Sequence, residues 1–171
     1  MSGWRVGYVI SNETIIYNIL KLSQHLITCP ATVLCLYLEK YFDEIRNATI
    51  PQVEAVVRKR NETTEYMRSI GLEPLRGSAT FYTFVDITGY GHTSLEYALY
   101  LLLKYHIAVV PGSAYGASTD NFIRVGVGTE EDDRLKDALH TIKRVLDAGE
   151  YDGDFVRNKL DQLNIKEFIQ A

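Results

Sequence analysis

The sequence of 171 residues lacks both a long hydrophobic run and an excess of positive charge. None of its apolar stretches approaches the ~20 residues that a membrane-spanning helix needs. Lysine and arginine number 18 against 22 aspartates and glutamates, whereas a nucleic-acid-binding domain normally carries a basic face. The N-terminus shows no basic segment followed by an apolar one, so we expect no secretory signal. These features exclude nucleic acid and membrane as expected partners.

Cysteine is also scarce, and the histidines are scattered. Cys29 and Cys35 are the two cysteines, and if both lie on one helix they cannot easily form a disulfide. We interpret them as reduced thiols of a cytoplasmic protein. The four histidines and two cysteines lack the spacing typical of a metal site, so we expect none.

The first 70 residues show mainly helical periodicity. Residues 5–10 predict a strand, because β-branched and aromatic residues dominate there. Three helices are then expected: one after a cap at Ser11 or Asn12, one beginning at Pro30, and one beginning at Pro51 and ending at Gly71. The apolar face of the first helix consists of Ile15, Ile19, Leu22 and Leu26. The charged segment 58–62 of the third is typical of a solvated helix face.

Beyond Leu72 the pattern changes to alternating strands and helices. We expect strands over 80–87, 107–110 and 121–127, and helices over 94–106 and 130–147. Thr129 is expected to cap the last helix, whose first turn is acidic as the helix dipole favours. Residues 149–171 form an acidic, weakly amphipathic tail, either as short helices docked on a neighbour or as a disordered segment. The pattern as a whole predicts an α+β fold.

Arg124 is the most informative single residue of the sequence. It stands alone in Phe-Ile-Arg-Val-Gly-Val, a strand that otherwise predicts burial. A buried guanidinium needs an anion beside it, and its planar fork matches a carboxylate through two hydrogen bonds. The anion is either a ligand or an internal partner such as Asp86 or Asp120; alternatively, an edge strand lets the guanidinium reach water.

Arg5 poses the same question within Gly-Trp-Arg-Val-Gly-Tyr, residues 3–8. Glycines on both sides allow another group to approach the backbone closely. Both a phosphate or carboxylate ligand and a structural ion pair are consistent with this pattern.

Five segments, taken in order, resemble one family. Residues 3–8 are similar to the segment that follows the Schiff-base lysine in class I/II aminotransferases, enzymes of the aspartate aminotransferase fold (fold type I) that use pyridoxal 5′-phosphate. Pro-Ala-Thr at 30–32 resembles the start of a helix in that family. Residues 77–84, 110–116 and 121–125 resemble its Gly-x-Phe-Tyr-x-Phe strand, its Val-x-Pro-Gly-x-x-Phe-Gly loop and its arginine-bearing strand. The order and approximate spacing agree from Met1 to about Leu146.

The resemblance implies an α/β sandwich: a small, mainly antiparallel sheet covered by helices and preceded by the end of the large domain. Residues 1–28 would be a remnant of the large cofactor domain, residues 29–148 the small C-terminal domain with its interdomain helix, and residues 149–171 an extra tail. The lysine would lie four residues before Met1, so the chain would begin just after it and would lack a catalytic residue. We therefore expect the 171 residues alone to be inactive.

The resemblance also implies the roles of individual residues. Arg5 would pair with the phosphate of pyridoxal 5′-phosphate in the intact enzyme, and Arg124 would hold the carboxylate of the amino acid or 2-keto acid substrate. Tyr82 and Tyr115 are candidates for flanking that substrate, although aromatic residues in a strand often belong to the core. A homodimer follows from the resemblance. Two alternatives remain: a truncated, non-catalytic binding module, and a fold-type I lyase or decarboxylase.

Overall fold

The computed structural model of the chain describes residues 2–128 and 130–165. The chain forms two compact units, Met1–Val53 and Glu54–Ala171. Within the described ranges no helix combines the length and the apolar character that a membrane crossing requires. The predicted domain boundaries after residues 28 and 148 stay a prediction.

The first unit consists of a short 3-10 helix, Ser2–Trp4, the helix α1, Glu13–Leu26, and the N-terminal part of the helix α2, Thr32–Ser69. Asn12 caps α1, as predicted, because its Oδ1 accepts a hydrogen bond from the backbone N–H of Ile15 at 3.0 Å. The predicted apolar face of α1 is present in the sequence but is not buried.

The strand predicted over residues 5–10 is wrong. Residues 6–12 have no regular secondary structure, and Arg5 adopts a left-handed φ of 56°. A strand needs a neighbour for its N–H and C=O groups, and a pair of strands is marginal even then. In the described parts of the chain all three strands belong to the second unit, so the segment has no partner within its own unit.

The helix expected to begin at Pro51 does not begin there. α2 runs from Thr32 to Ser69 with Pro51 inside it, and its two helical segments meet at a kink at Tyr41 (φ −119°, ψ 25°). Proline removes a single helical hydrogen bond, and the many remaining bonds of a 38-residue helix keep the segments on both sides helical. The end of the helix agrees with the prediction, because Gly71 follows it with a φ of 80°.

The second unit contains a small antiparallel sheet and three more helices. Its elements are β1, Tyr82–Asp86; α3, Ser94–Tyr105; β2, Val110–Pro111; two 3-10 helices, Gly112–Tyr115 and Ala117–Thr119; β3, Phe122–Gly126; α4, Asp132–Ala148; and α5, Gly153–Gln162. The strands are arranged in the order β1-β3-β2, both pairs antiparallel. This architecture confirms the predicted α+β fold with its small antiparallel sheet. The strand expected over 107–110 is reduced to two residues.

The alternation of β1 and β3 gives the sheet two different faces. Thr83 and Val85 of β1 and Ile123 and Val125 of β3 are buried. The same core contains side chains of α3 and α4, among them Tyr97, Leu101, Leu139, Ile142 and Val145. The opposite face, which we call the open face, carries the half-buried residues Tyr82, Phe84, Phe122 and Arg124.

The helix starts follow local capping rules. Thr93 caps α3 through a reciprocal capping box with Glu96. The first turn of α4 is acidic, with Asp132 and Asp133, as expected. Glu131 occupies its N-cap position without a side-chain hydrogen bond, and the predicted cap Thr129 lies outside the described residues.

The described tail residues include a helix, α5, that packs within the second unit. Asp152 caps α5, and Val156 and Leu160 of α5 are 1% and 4% exposed. Phe155 lies edge-on to the Tyr100 ring of α3 at 6.4 Å between centroids. Residues 153–162 form a helix, as one of the expectations had it, but this helix packs within the second unit of the same chain, and residues 166–171 lie outside the described chain.

Candidate functional site

Arg124 lies in the central strand of the sheet. It is opposite Phe84 in β1 and opposite Val110 in β2. Its side chain is half-buried on the open face. The central position excludes the edge strand that was one explanation for a charged residue here.

Two tyrosine rings lie against the guanidinium of Arg124. Its Cζ is 4.1 Å from the ring centroid of Tyr82 and 5.3 Å from that of Tyr115. Such cation–π contacts stabilise and orient a guanidinium, but they do not supply the oxygen acceptors that its N–H groups need. The structure thus brings together the three residues that the sequence named for the substrate site.

The two aspartates that were possible internal partners of Arg124 are engaged elsewhere. The Asp86 carboxylate accepts hydrogen bonds from the backbone N–H of Thr88 at 2.7 Å and from its hydroxyl. Asp120 Oδ1 accepts from the backbone N–H of Ser94 at 3.0 Å and from its hydroxyl at 2.6 Å. Across residues 2–128 and 130–165, Arg124 has neither an ion pair nor a hydrogen-bonded side-chain partner.

More aromatic rings surround these three side chains. The Phe84 ring lies edge-on to Tyr115 at 5.3 Å and to Phe122 at 6.4 Å between centroids. The open face is therefore a surface of aromatic rings with one cation among them. Such a surface can bind a carboxylate at its centre and apolar groups around it.

The loop that carries Tyr115 depends on a glycine at position 112. A Cβ atom at Gly112 would lie 1.8 Å from the carbonyl oxygen of Thr119 and 2.5 Å from that of Phe122. These are backbone atoms, so a larger residue would displace the loop. The Thr119 hydroxyl donates to the Gly112 carbonyl at 2.7 Å and closes the loop on itself.

A second set of hydrogen bonds ties this loop to α3. Ser94 is fully buried at the first turn of α3, and its hydroxyl donates to Asp120 and accepts from the backbone N–H of Ser113 at 3.1 Å. The sequence analysis considered Asp120 as a partner of Arg124 and missed its contact with Ser94. The sequence offers one signal, because Pro111, Gly112 and Gly116 are typical of a turn, but they do not indicate the partner of that turn.

Arg5 belongs to the first unit and is exposed. The neighbouring rings pack on α2: Trp4 lies 5.4 Å from Tyr37, and Tyr8 lies 6.2 Å from Phe42, between centroids. Cβ atoms at the flanking glycines, 3 and 7, would meet nothing within 4 Å. The close approach that these glycines permit is therefore not made by the described part of the chain.

A metal ion needs a group of histidine, cysteine or carboxylate side chains around it. In the described ranges no group of three or more histidine, cysteine, aspartate and glutamate side chains is arranged to hold a metal ion. Cys29 and Cys35 are both free thiols.

Comparison with known proteins identifies the family. The profile of the family "Aminotransferase class I and II" matches residues 1–142. The chain belongs to this family. The five resembling segments all lie within the matched range, and family membership implies pyridoxal 5′-phosphate as the cofactor of the intact enzyme.

Three relatives illustrate how far the likeness to aminotransferases extends. A (5-formylfuran-3-yl)methyl phosphate transaminase of Methanocaldococcus jannaschii is 32% identical over 147 residues, which are 85% of this chain and 39% of that protein. An aspartate aminotransferase of Pyrococcus abyssi is 29% identical over 148 residues, 85% of this chain and 38% of that protein. The crystal structure of an aromatic aminotransferase from Pyrococcus horikoshii superposes with a TM-score of 0.68 at 28% identity, over 86% of this chain and 40% of that one.

These figures define what the aminotransferase likeness covers. The chain spans about two fifths of the length of these relatives. The structural match confirms the predicted fold type I architecture. Residues 143–165, including α5, lie beyond the range that the family profile matches.

Proposed function

We propose that this chain is the part of a pyridoxal-phosphate-dependent aminotransferase that binds the substrate carboxylate. The intact enzyme would transfer an amino group between an amino acid and a 2-keto acid. The observation that supports this role is the environment of Arg124. Its guanidinium contacts two tyrosine rings and has no carboxylate partner in the described chain, while both candidate aspartates are bound elsewhere.

Arg124 would bind the substrate through two parallel hydrogen bonds to the carboxylate oxygens. Contacts with the rings of Tyr82 and Tyr115 would limit the motion of the guanidinium, so that less conformational entropy would be lost when the carboxylate binds. Fixing the carboxylate fixes the direction of the neighbouring Cα–H bond, which is the contribution of positioning to catalysis.

Arg5 would contribute to the cofactor site through the phosphate. Arg5 is exposed, and a Cβ atom at either flanking glycine would meet nothing within 4 Å. A phosphate from outside the described chain could therefore approach this segment closely. The cofactor, when bound, supplies the electron sink for amino-group transfer. The residues present thus fit its phosphate group, and the groups that would hold its ring are not assigned to this chain.

The carboxylate site can be tested on the 171-residue chain itself. The protein would be labelled with ¹⁵N in its arginines, and the Nε–H signal of Arg124 followed while acetate or succinate is added. We expect a saturable shift of this signal, which Arg124→Met abolishes. Arg134→Met is the matched control, because Arg134 is a 74% exposed arginine of the same unit. If carboxylates leave the Arg124 signal unmoved, or if binding survives in Arg124→Met, the proposed role is wrong.

The expected inactivity of the chain has a separate test. The purified 171 residues would be mixed with pyridoxal 5′-phosphate, an amino acid and a 2-keto acid, and the product amino acid measured. We expect no turnover, because the resemblance places the reacting lysine outside these residues. Turnover at the rate of an ordinary aminotransferase would contradict this expectation. Sedimentation of the same sample would test the homodimer that the family resemblance implies.

A further inference from the structure

Arg60 of α2 is a buried cation that the proposed function does not use. The sequence predicted that the whole charged segment 58–62 is solvated, and for Arg60 this prediction is wrong. Its side chain is only 5% exposed, whereas Arg58 on the same helix is exposed. A guanidinium cannot lose its proton at any ordinary pH, so burial leaves a full positive charge in place.

The hydrogen bonds of Arg60 leave one edge of its guanidinium unpaired. Nη1 donates to Asn61 Oδ1 at 3.4 Å, which is near the limit of a hydrogen bond. Nε is buried without any partner, the single side-chain nitrogen or oxygen of the described chain in that state. No ion pair of Arg60 is present within residues 2–128 and 130–165.

The residues next to Arg60 on α2 do not compensate its charge. The hydroxyls of Thr63 and Thr64 donate to the carbonyls of Lys59 and of Arg60 itself. Lys59 is paired with Asp132 at 3.0 Å, so that aspartate is already engaged. A buried, uncompensated charge is strongly unfavourable and persists only where something else is gained from it.

The unpaired edge lies close to an exposed loop. A Cβ atom at Gly77 would lie 3.8 Å from Nη2 of Arg60, so the loop comes near this edge of the guanidinium at a residue without a side chain. Residues 75–81 are all exposed, and Arg76 is the positively charged residue among them. At position 77 there is thus no side chain that an anion approaching Nη2 would have to displace.

We propose that Arg60 is a binding site for a small oxoanion, a carboxylate or a phosphate group, held by Nε and Nη2 beside Gly77. These two donors point the same way from one edge of the guanidinium and match two oxygens of one anion. The site is separate from the carboxylate site of Arg124, which lies on β3. The anion provides the acceptor that the buried Nε lacks.

The test is a titration of the ¹⁵N-arginine-labelled chain with inorganic phosphate and, separately, with acetate. We expect the Nε–H signal of Arg60 to shift saturably in at least one titration, and the arm with the tighter response identifies the class of oxoanion. The same anion should raise the unfolding temperature of the wild type and of Arg58→Met, but not that of Arg60→Met.

Three results would overturn the proposal. The first is an Arg60 signal that no anion moves; this is measured on the wild type and stands even if Arg60→Met fails to fold. The second is equal stabilisation of Arg60→Met and Arg58→Met. The third is loss of the response in Arg124→Met, which would assign anion binding to the substrate site. Because the Arg60 and Arg124 signals are separate, either site can fail without the other.

Discussion

The Ser94 hydroxyl donates to Asp120 Oδ1 at 2.6 Å and thereby joins the first turn of α3 to the loop that carries Tyr115. Ser94 is fully buried, and its backbone N–H donates to the same carboxylate oxygen of Asp120. One carboxylate oxygen thus holds the loop that positions a ring against Arg124. The geometry of the proposed carboxylate site is consequently coupled to a contact outside it.

Replacing Asp120 should therefore weaken both the fold and the site. Asp120→Ala leaves the backbone N–H of Ser94 without an acceptor and leaves its buried hydroxyl with only Ser113 Oγ at 3.3 Å, which costs about 1–3 kcal/mol of unfolding free energy. Asp120→Asn is the matched control, because its amide oxygen can still accept both hydrogen bonds. Urea unfolding measures the difference between the two variants. Equal stability of the alanine variant and the wild type would show that the bond does not hold the loop.

Glu150 makes the tail sensitive to acid. Its carboxylate accepts hydrogen bonds from Lys104 Nζ at 2.6 Å and from the hydroxyls of Tyr105 and Tyr100 at 2.7 and 2.9 Å, and it pairs with Arg144 at 3.0 Å. The bonds from Lys104 and Tyr105 lower the pKa of Glu150 from 4.5 to about 2. A carboxyl whose pKa is lower in the folded state stabilises the protein above its unfolded pKa, and this contribution is lost as the pH falls through the folded pKa.

We expect Glu150→Gln to lower the unfolding free energy at pH 7 by about 1–2 kcal/mol, a value reduced by the partial exposure of the group. The difference from the wild type should shrink as the pH falls from about 5 towards 2, because both proteins are then uncharged at this position. Glu65→Gln, at an exposed glutamate of α2, is the control for the loss of one negative charge. A difference that stays constant over this pH range would contradict the assignment.

The packing of α5 within the second unit can be tested by substituting a leucine in the helix and one just after it. Val156 and Leu160 are 1% and 4% exposed, whereas Leu163, one residue after the helix, is 56% exposed. Leu160→Ala should destabilise the second unit by roughly 2–5 kcal/mol, because it removes buried methyl groups and leaves a cavity. Leu163→Ala removes the same atoms from an exposed position and should change stability by less than about 0.5 kcal/mol. Equal effects of the two substitutions on the thermal unfolding midpoint would mean that α5 is not packed in solution.

The parts of the fold that the sequence predicted are those that local rules determine. The capping of α1 by Asn12 and the periodicities of α3 and α4 require only neighbouring residues, and all three agree with the structure. The strand at 5–10 failed because strand formation depends on a partner, and no sequence pattern reveals whether a partner is present. The break at Pro51 failed because a proline lowers helix stability without forbidding a long helix around it.

In the candidate site, too, the sequence revealed what depends on neighbouring residues and missed what depends on distant ones. Arg124 was found from the sequence because a lone charge in an apolar strand is a strong local signal. Arg60 was missed because it lies within a charged run, where burial on one side of a helix has no sequence signature. Its orphaned Nε became visible only when α2 and the loop around Gly77 were placed together.

The contact between Tyr82 and Arg124 leads to the last prediction. The Tyr82 ring lies 4.1 Å from the guanidinium Cζ, so it holds the cation in place before a carboxylate binds. Tyr82→Leu keeps an apolar side chain in β1 but removes the ring, and a cation–π contact of about 0.5–2 kcal/mol corresponds to a loss of roughly 2- to 30-fold in carboxylate affinity. Tyr82→Phe keeps the ring face and should bind acetate within about 2-fold of the wild type. The Arg124 Nε–H titration measures both affinities. A phenylalanine variant as weak as the leucine variant would assign the effect to the tyrosine hydroxyl, and a leucine variant equal to the wild type would show that the ring does not position Arg124.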